Sequence, residues 1–400
     1  MEMITVEEAL QLLATHTGDW GVEMLDFDQA VGRVLRENII ADRSLPPYDR
    51  VTMDGIAIQY ESFKNGQKTF KIEGIAPAGA PQKRLEDSAA CLEVMTGAIM
   101  PQVADTVIRY EDVVIKEQTA TLASERVKSR QNIHFKGEDR QEGDILIHEG
   151  QVIRPAEIGI CATVGKSKLK VSKLPRALIV STGDELVDID QFPKPHQVRK
   201  SNVYTIKAML EKQGLIVDID HLTDDYPKII QSLDSHFGKY QVILLSGGVS
   251  KGKFDYVPKA MDELGVKKLF YKVQQRPGKP FWFGKRAGDC HIFALPGNPI
   301  SSFLCTLRYF DHWLGMSLRR PASAPPTARL VRDVVFKPDL TYFLEVKLHY
   351  DEKGNLGAEP AKGNGSGDLA NLVNADAFIE LPQGREKFDA GESFPCYPFS

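Results

Sequence analysis

Apolar positions recur along this chain with two periods, one helical and one strand-like, and the places where the period changes divide it. Thr5 and Glu8 form a T-x-x-E capping box ahead of Ala9, Leu10 and Leu13, which predicts a short amphipathic helix at the start. From about residue 40 to 134 short apolar stretches (IAIQY, TFKIEGI, CLEVMTG, TVIRYEDVVI, TATLA) are separated by Gly, Pro and charged turns. That pattern predicts a small β-rich domain inserted between helical segments. GDILIHEGQVIRPAEIGICATVG then predicts a strand, a turn and a helix from about Pro155.

Residues 175 to 315 alternate strand-like and helical patterns, as a parallel sheet requires. The strand-like runs RALIV, GLIVDIDHL and QVILL lead into SNVYTIKAMLEKQG, TDDYPKIIQSLDSHF and FDYVPKAMDELG. In the first helix Ser201 or Asn202 is the expected cap, Val203, Ile206, Met209 and Leu210 the buried face, and Gly214 the stop. Thr223 or Asp224 is the expected cap of the second. Further strands at LFYKV, FWFG and HIFAL follow, the last entering a helix, PISSFLCTLRYF, through LPGNP. RRPASAPPTA reads as a proline-rich linker. Beyond it come alternating strands, a hairpin at Asp351 to Asn355 and the glycine-rich GNGSGD, which predict a small all-β terminal domain.

With 400 residues the chain has length for two to four domains. Its 42% hydrophobic and 26% charged residues mark it as globular and exclude a chain dominated by disorder. A net charge of -4 means that an anionic ligand must be held by a local basic cluster, and it disfavours broad nucleic-acid binding. The five cysteines are scattered with no CxxC pair, which fits reduced thiols in the cytoplasm and excludes a sequence-local zinc site. The nine histidines show neither HxxxH nor HExxH spacing. MEMITVEEALQLL has acids where a secretion signal has basic residues, and no run of 18 apolar residues predicts a membrane span.

In a parallel sheet all strands end on one edge, so STGDE (181 to 185), SGGVSKGKFD (246 to 255) and LPGNP (295 to 299) are expected to meet. Gly247, Gly248 and Gly252 allow a tight turn that aims backbone N–H groups at a phosphate, with the dipole of the following helix behind them. Each glycine loop alone is equally well read as a strand-to-helix turn; three on one edge favour a ligand site. Gly247 to Lys253 nearly match a P-loop, but Phe254 stands where that motif needs a magnesium-ligating Ser or Thr. No GxGxxG has the spacing of a dinucleotide fold. Asp184, Glu185, Asp224, Asp225 and Asp255 follow the strands, and carboxylates beside phosphate make sense if a hard cation such as Mg2+ bridges them. Lys272, Arg276 and Lys279 on VQQRPGKPFWFG are suited to an oxyanion.

PPYDRVTMDGIAI, MTGAIMP, KGED, STGDEL, SNVYTIKAML, SGGVSKGKFDY, RPGKPFWFG and LPGNPISSF occur in this order, and with them the chain resembles the molybdopterin molybdenumtransferase family, molybdenum-insertion enzymes related to the E domain of gephyrin. The resemblance implies a multidomain α/β plus β fold. Its parts are an elongated helical region (1–40 and 135–172), a β-rich insertion domain (41–134), a three-layer αβα parallel-sheet ligand domain (173–320) and a C-terminal β-barrel-like domain (327–400). It also implies a homodimer with its active site shared across subunits, so that Asp54 and Thr96 act on the partner's ligand domain. Adenylylated molybdopterin and molybdate are the implied substrates and Mg2+ the implied cofactor; AMP is released as molybdenum cofactor forms. A molybdopterin adenylyltransferase and apo-molybdoenzymes are the implied partners.

Carried over by position, Asp54, Thr96, Asp139, Glu185 and Asp255 are the implied catalytic set, with Glu185, Asp224, Asp225 and Asp255 as metal ligands. Ser181, Thr182, Gly183, Ser246, Gly247, Gly248, Ser250, Lys272, Arg276, Lys279, Pro296, Gly297, Asn298 and Ser366 are the implied binding residues. From its own neighbourhood Asp54 reads only as a turn aspartate before Gly55. His134, Phe135 and Lys136 stand where the family is usually arginine-rich, Arg276 where lysine is usual, and Lys251 and Lys253 in place of apolar or acidic residues. Two other functions use the same features: an adenylyltransferase or pyrophosphatase acting on another phosphoanhydride, and a non-catalytic pterin-binding scaffold.

Overall fold

A computed structural model describes residues 3–248, 256–288, 290–361, 363, 365 and 367–399. By mutual contacts the chain divides into two units: residues 1–36, 150–154 and 168–400, and residues 37–149 and 155–167.

The first unit opens with the helix Val6–Thr15 and its expected capping box. Thr5 Oγ1 accepts from Glu8 N at 3.1 Å while Glu8 Oε2 accepts from Thr5 N at 2.7 Å. Two N–H groups that the first helical turn cannot pair internally are thereby satisfied. Val6, Ala9 and Leu13 are buried against the main sheet's helical layer.

That sheet has six strands: β1 (Arg176–Thr182), β2 (Ile216–Leu222), β3 (Val242–Ser246), β4 (Lys267–Tyr271), β5 (Trp282–Arg286) and β6 (Cys290–Leu295). Their order is β2-β1-β3-β6-β5-β4. β1, β2, β3 and β6 are parallel, and β5 runs antiparallel to both β6 and β4. The sheet is therefore mainly parallel, as expected, with β5 reversed. The ten residues from Lys272 to Phe281 return the chain directly from β4 to β5 without a crossover helix, and only an antiparallel pair closes that way. Alternate residues of one strand serve opposite faces: Ala177 and Ile179 pack with the helix Ser201–Glu211 and with Phe310 and Trp313, while Leu178 and Val180 pack with the helices Tyr226–His236 and Val257–Glu263. Two apolar layers flanking one sheet make the three-layer αβα arrangement.

The segment expected as one helix after LPGNP is the helix Pro299–Cys305, a π turn Thr306–Phe310 and the helix Asp311–Ser317. Tyr309, Phe310 and Trp313 are buried there. Beyond the proline-rich linker, β7 (Thr327–Leu330), β8 (Thr341–Tyr350), β9 (Leu356–Pro360), β10 (Ala377–Leu381) and β11 (Ser393–Pro398) pair in the closed ring β8-β9-β7-β11-β10-β8. This is a five-stranded barrel around Leu330, Val346, Ala358, Ile379 and Cys396, with the expected hairpin between β8 and β9. The terminal region is not purely β, because the short helix Leu369–Asn374 lies between β9 and β10.

In the second unit a six-stranded sheet has the order Thr106–Arg109, Gly55–Ile58, Ala90–Val94, Thr69–Ala76, Thr119–Leu122, Val113–Lys116. Ile56, Ile58, Phe70, Cys91 and Ile108 fill one face; Ala57, Val94 and Val107 fill the other. The unit also holds the helix Pro155–Thr163 and two short ladders, Ile39–Ile40 with Ile145–Ile147 and Arg50–Val51 with Ile133–His134. All five cysteines are buried and none is disulfide-bonded. Among the described residues no helix is long and apolar enough to cross a membrane.

Candidate functional site

β1, β3 and β6 end side by side, with Ser181 paired to Ser246 and Ser246 to Leu295. The three expected loops therefore leave the sheet together. They surround a cavity of about 390 Å³ lined by Ser181, Thr182 and Glu185 from the first loop, Ser246 and Gly247 from the second, and Gly297 and Pro299 from the third. Gly367 and Leu369 of the terminal region also line it. The backbone explains the glycines. Gly247 and Gly248 have φ of 94° and 69°, and a Cβ on Gly248 would lie 2.7 Å from Thr182 Oγ1. Any other residue at Gly248 would both strain the turn and push the first loop away.

Asn202, expected with Ser201 as a helix cap, has another role: the N-cap position is Lys200 and no side chain caps it. The Asn202 amide instead donates to Ser246 Oγ at 3.2 Å and to Gly297 O at 2.8 Å, tying the second loop to the third. Because a carbonyl can only accept, the amide nitrogen must face Gly297. Lys200 and Arg199 also line the cavity, and neither was anticipated. Their only sequence signal was two adjacent basic residues before a predicted helix, a pattern most often just a solvated face.

Ser181 Oγ lies 2.9 Å from His221 Nδ1, so an imidazole on the neighbouring strand orients a cavity hydroxyl. Burial, and then the charge of Lys200, hold the His221 pKa below its usual value. Beside it, burial would raise the Asp220 pKa, but hydrogen bonds from His236, the His221 N–H and Ser232 outweigh it and the net shift is downward.

The expected acids divide. Glu185 lines the cavity, and its carboxylate folds back against Gly183. Asp184 Oδ1 accepts from Asp224 N at 3.1 Å and joins the first loop to the one after β2. Asp225, rather than Thr223 or Asp224, caps the helix Tyr226–His236, accepting from Lys228 N at 3.2 Å. That bond is the main cause of its lowered pKa, and an ion pair with Lys228 Nζ at 3.2 Å adds to it. Asp225 precedes Tyr226 and Pro227, and proline in the first helical turn favours the cap immediately upstream. Among the described residues no group of three or more His, Cys, Asp or Glu side chains could hold a metal ion. Ser250, Lys251, Gly252, Lys253, Phe254, Asp255 and Ser366 lie outside the described residues.

The expected oxyanion residues do not line this cavity. The 272–281 loop leaves the same edge, since Tyr271 pairs with Trp282 and Trp282 with Ala294, but it runs to the barrel. Arg276 pairs with Tyr342 of β8, its guanidinium 6.0 Å from the Phe336 ring centroid; Lys272 Nζ lies 5.2 Å from the Tyr271 ring, and Lys279 accepts Val273 N through its carbonyl. Pro296 is buried, and Asn298 Oδ1 is buried without a hydrogen-bond partner among the described residues.

In the second unit Asp54 Oδ1 accepts from Thr96 N at 2.6 Å and from Thr96 Oγ1 at 2.8 Å. The backbone bond first and the hydroxyl second lower the Asp54 pKa and keep it an exposed, oriented carboxylate. The following Gly55 is not a turn glycine but the first residue of the strand Gly55–Ile58. A Cβ there would overlap the Ile108 carbonyl of the adjacent strand, so close approach of backbones requires glycine. Arg50 Nη2 lies 3.0 Å from His134 Nδ1, and His134 Nε2 lies 3.0 Å from Asp139 Oδ1. An imidazole with its proton on Nε2 accepts from Arg50 and donates to Asp139 at once.

Three family models match the chain in succession: MoeA N-terminal region (domain I and II) over residues 4–165, a probable molybdopterin binding domain over 178–312, and MoeA C-terminal region (domain IV) over 327–399. The chain is similar to the molybdopterin molybdenumtransferase of Synechocystis sp., 42% identical over 398 residues and covering 99% of this chain and 100% of the relative. It is 30% identical to the protein of that name from Staphylococcus aureus, covering 98% of this chain and 94% of the relative. A crystal structure of the molybdopterin biosynthesis moeA protein of Pyrococcus horikoshii superposes with a TM-score of 0.85 at 25% identity, each chain fully covered. A second crystal structure of that protein gives 0.83 at 26%, again over the whole of both chains.

Proposed function

Because this chain belongs to the molybdopterin molybdenumtransferase family along almost its whole length, we propose that it inserts molybdenum from molybdate into adenylylated molybdopterin, releasing AMP and forming molybdenum cofactor. The observation that carries this reading is the meeting of three strand-end loops around a cavity of about 390 Å³, with the Glu185 carboxylate in its wall. Ser181, Thr182 and Ser246 supply hydroxyls to the ligand's phosphates, and the close-set glycines let the backbone approach them. His221 holds the Ser181 hydroxyl, and Asn202 holds the second and third loops in register.

Mg2+ belongs to the same reading. Glu185 fits it, because Mg2+ is characteristically held by one or two carboxylates together with substrate phosphates rather than by an all-protein cage. When bound there it would offset charge developing on the cleaved phosphoanhydride. Asp54, oriented by Thr96, and Asp139, tied to His134, would face the ligand from the partner of a cytoplasmic homodimer. A molybdopterin adenylyltransferase would supply the substrate and apo-molybdoenzymes would take the product.

The test is AMP release from adenylylated molybdopterin with magnesium, with and without molybdate. Release that requires molybdate and falls at least a hundredfold in Glu185→Gln supports the reading; molybdate-independent cleavage of unrelated dinucleotides would replace it with a general pyrophosphatase. Mixed dimers of Asp54→Ala with Glu185→Gln chains test the shared site. Recovery of activity in the mixture is expected, and none would be seen if each subunit worked alone.

A further inference from the structure

An anionic ligand in this cavity needs a cation from the protein, because the chain's net charge of -4 supplies no favourable global field and Glu185 adds a local negative charge. Lys272, Arg276 and Lys279 do not line it. Lys200 does, from the position just before the helix Ser201–Glu211, and its side chain is only 11% exposed. The ammonium donates to Asp188 Oδ1 at 2.8 Å, and the Asp188 side chain is 56% exposed. An ammonium has three donors, so this bond, the one it makes among the described residues, leaves capacity for a ligand oxygen. The charge of Lys200 also acts on His221, whose ring contacts the Ser181 hydroxyl in the cavity wall. Arg199 stands beside it, its Nε donating to Gln191 O at 3.0 Å. The helix that follows carries no side-chain cap, and the positive end of its dipole adds to the same region.

We infer that Lys200, assisted by Arg199, is the cationic anchor of this cavity and binds a phosphate group of the ligand, which competes for the ammonium with the solvent-exposed Asp188 carboxylate. This rests on the function proposed above. It locates the phosphate-binding charge on the segment between β1 and β2 rather than on the 272–279 loop.

The test measures binding of adenylylated molybdopterin by calorimetry to the full-length protein and its variants, at low and high salt. Lys200→Met keeps the aliphatic stem and removes the charge; it is expected to weaken binding by about ten- to a hundredfold, the range for a hydrogen bond to a charged group, and to flatten the salt dependence. Lys200→Arg is expected to retain most of the affinity, and Asp188→Asn to bind as tightly as the wild type or more tightly. Wild-type affinity in Lys200→Met would overturn the inference while leaving the functional reading intact; a wild-type protein that does not bind the compound would sink both. Should Lys200→Met fail to fold, the other two variants decide. A tenfold loss in Asp188→Asn would make the pair a structural clamp and overturn the anchor.

Discussion

Replacing Asn202 by alanine separates what holds the cavity together from what merely lines it. The amide makes two hydrogen bonds, one to the buried Ser246 and one to the exposed Gly297 carbonyl. A typical bond contributes about 0.5–1.5 kcal/mol net, and water can replace the lost donor at Gly297, so Asn202→Ala is expected to cost about 1 kcal/mol. At roughly 2–4 °C per kcal/mol for a domain of this size, that is a small fall in melting temperature. The loss of turnover should be much larger, about ten- to a hundredfold, because displacing a positioned loop by 1 Å is enough for an effect of that order. Asn202→Asp sharpens the argument. A carboxylate is nearly isosteric with the amide but places an acceptor against the Gly297 carbonyl, so it should be less stable than the alanine variant. Urea unfolding followed by circular dichroism, with kcat and KM for AMP release, measures both effects. Equal or greater stability of Asn202→Asp relative to Asn202→Ala, or turnover within twofold of wild type in either, would refute the loop-tie account.

Gly55→Ala should destabilise the second unit by about 3 kcal/mol, since the new Cβ can be accommodated only by parting the edge strand Thr106–Arg109 from its neighbour; a change below 1 kcal/mol on urea unfolding would contradict the close approach. Thr96→Val removes the hydroxyl bond to Asp54 but keeps the backbone bond, so the Asp54 pKa should rise yet stay below its ordinary value, as read by carboxyl NMR titration; a full return would make the hydroxyl the dominant cause. His221 binds a proton less readily folded than unfolded, so its contribution to stability is lost as pH falls from about 6.5 toward the folded pKa. His312, lowered by burial and then by Arg308, acts in the same direction. His221→Gln should therefore flatten, but not abolish, the decline of the urea midpoint between pH 7.5 and 5.5, and an unchanged decline would assign it to other groups.

What was legible in the sequence follows from which physical effects act locally. The Thr5–Glu8 box and the strand run from Arg176 to Val180 depend on neighbours a few residues away, and the structure shows both as read. The meeting of STGDE, SGG and LPGNP was legible although the segments are far apart, because one topological rule sends every parallel strand end to the same edge. The direction of β5 is not legible in the sequence, because apolar patterning is the same in parallel and antiparallel strands that are buried on both faces. Caps were misplaced at both helices where a polar residue had a second use: Asn202 serves two loops, and Asp225 displaces Asp224.

Charge was the least legible feature. The Arg-Pro-Gly-Lys-Pro segment reads as an anion cradle because its basic residues sit on a stiff loop; in the fold that loop pairs with β8, with the Arg276 guanidinium 6.0 Å from the Phe336 ring centroid, and does not line the cavity. Lys200 carries no site signal in the sequence and is mostly withdrawn from water at the cavity wall. Basic residues cost little in sequence patterning wherever they stand, since their long stems reach in many directions, so their partners are decided by the fold rather than by spacing. Glycines are the opposite case. Gly55 is required by a neighbouring backbone that passes too closely for a Cβ, and Gly248 by its left-handed φ and the adjacent Thr182 side chain; in both cases the motif that contains the glycine also contains or adjoins the polar group placed at the site. Motifs of this kind therefore report where the backbone must come close, while the charges that make such a place bind an anion have to be read from the folded chain.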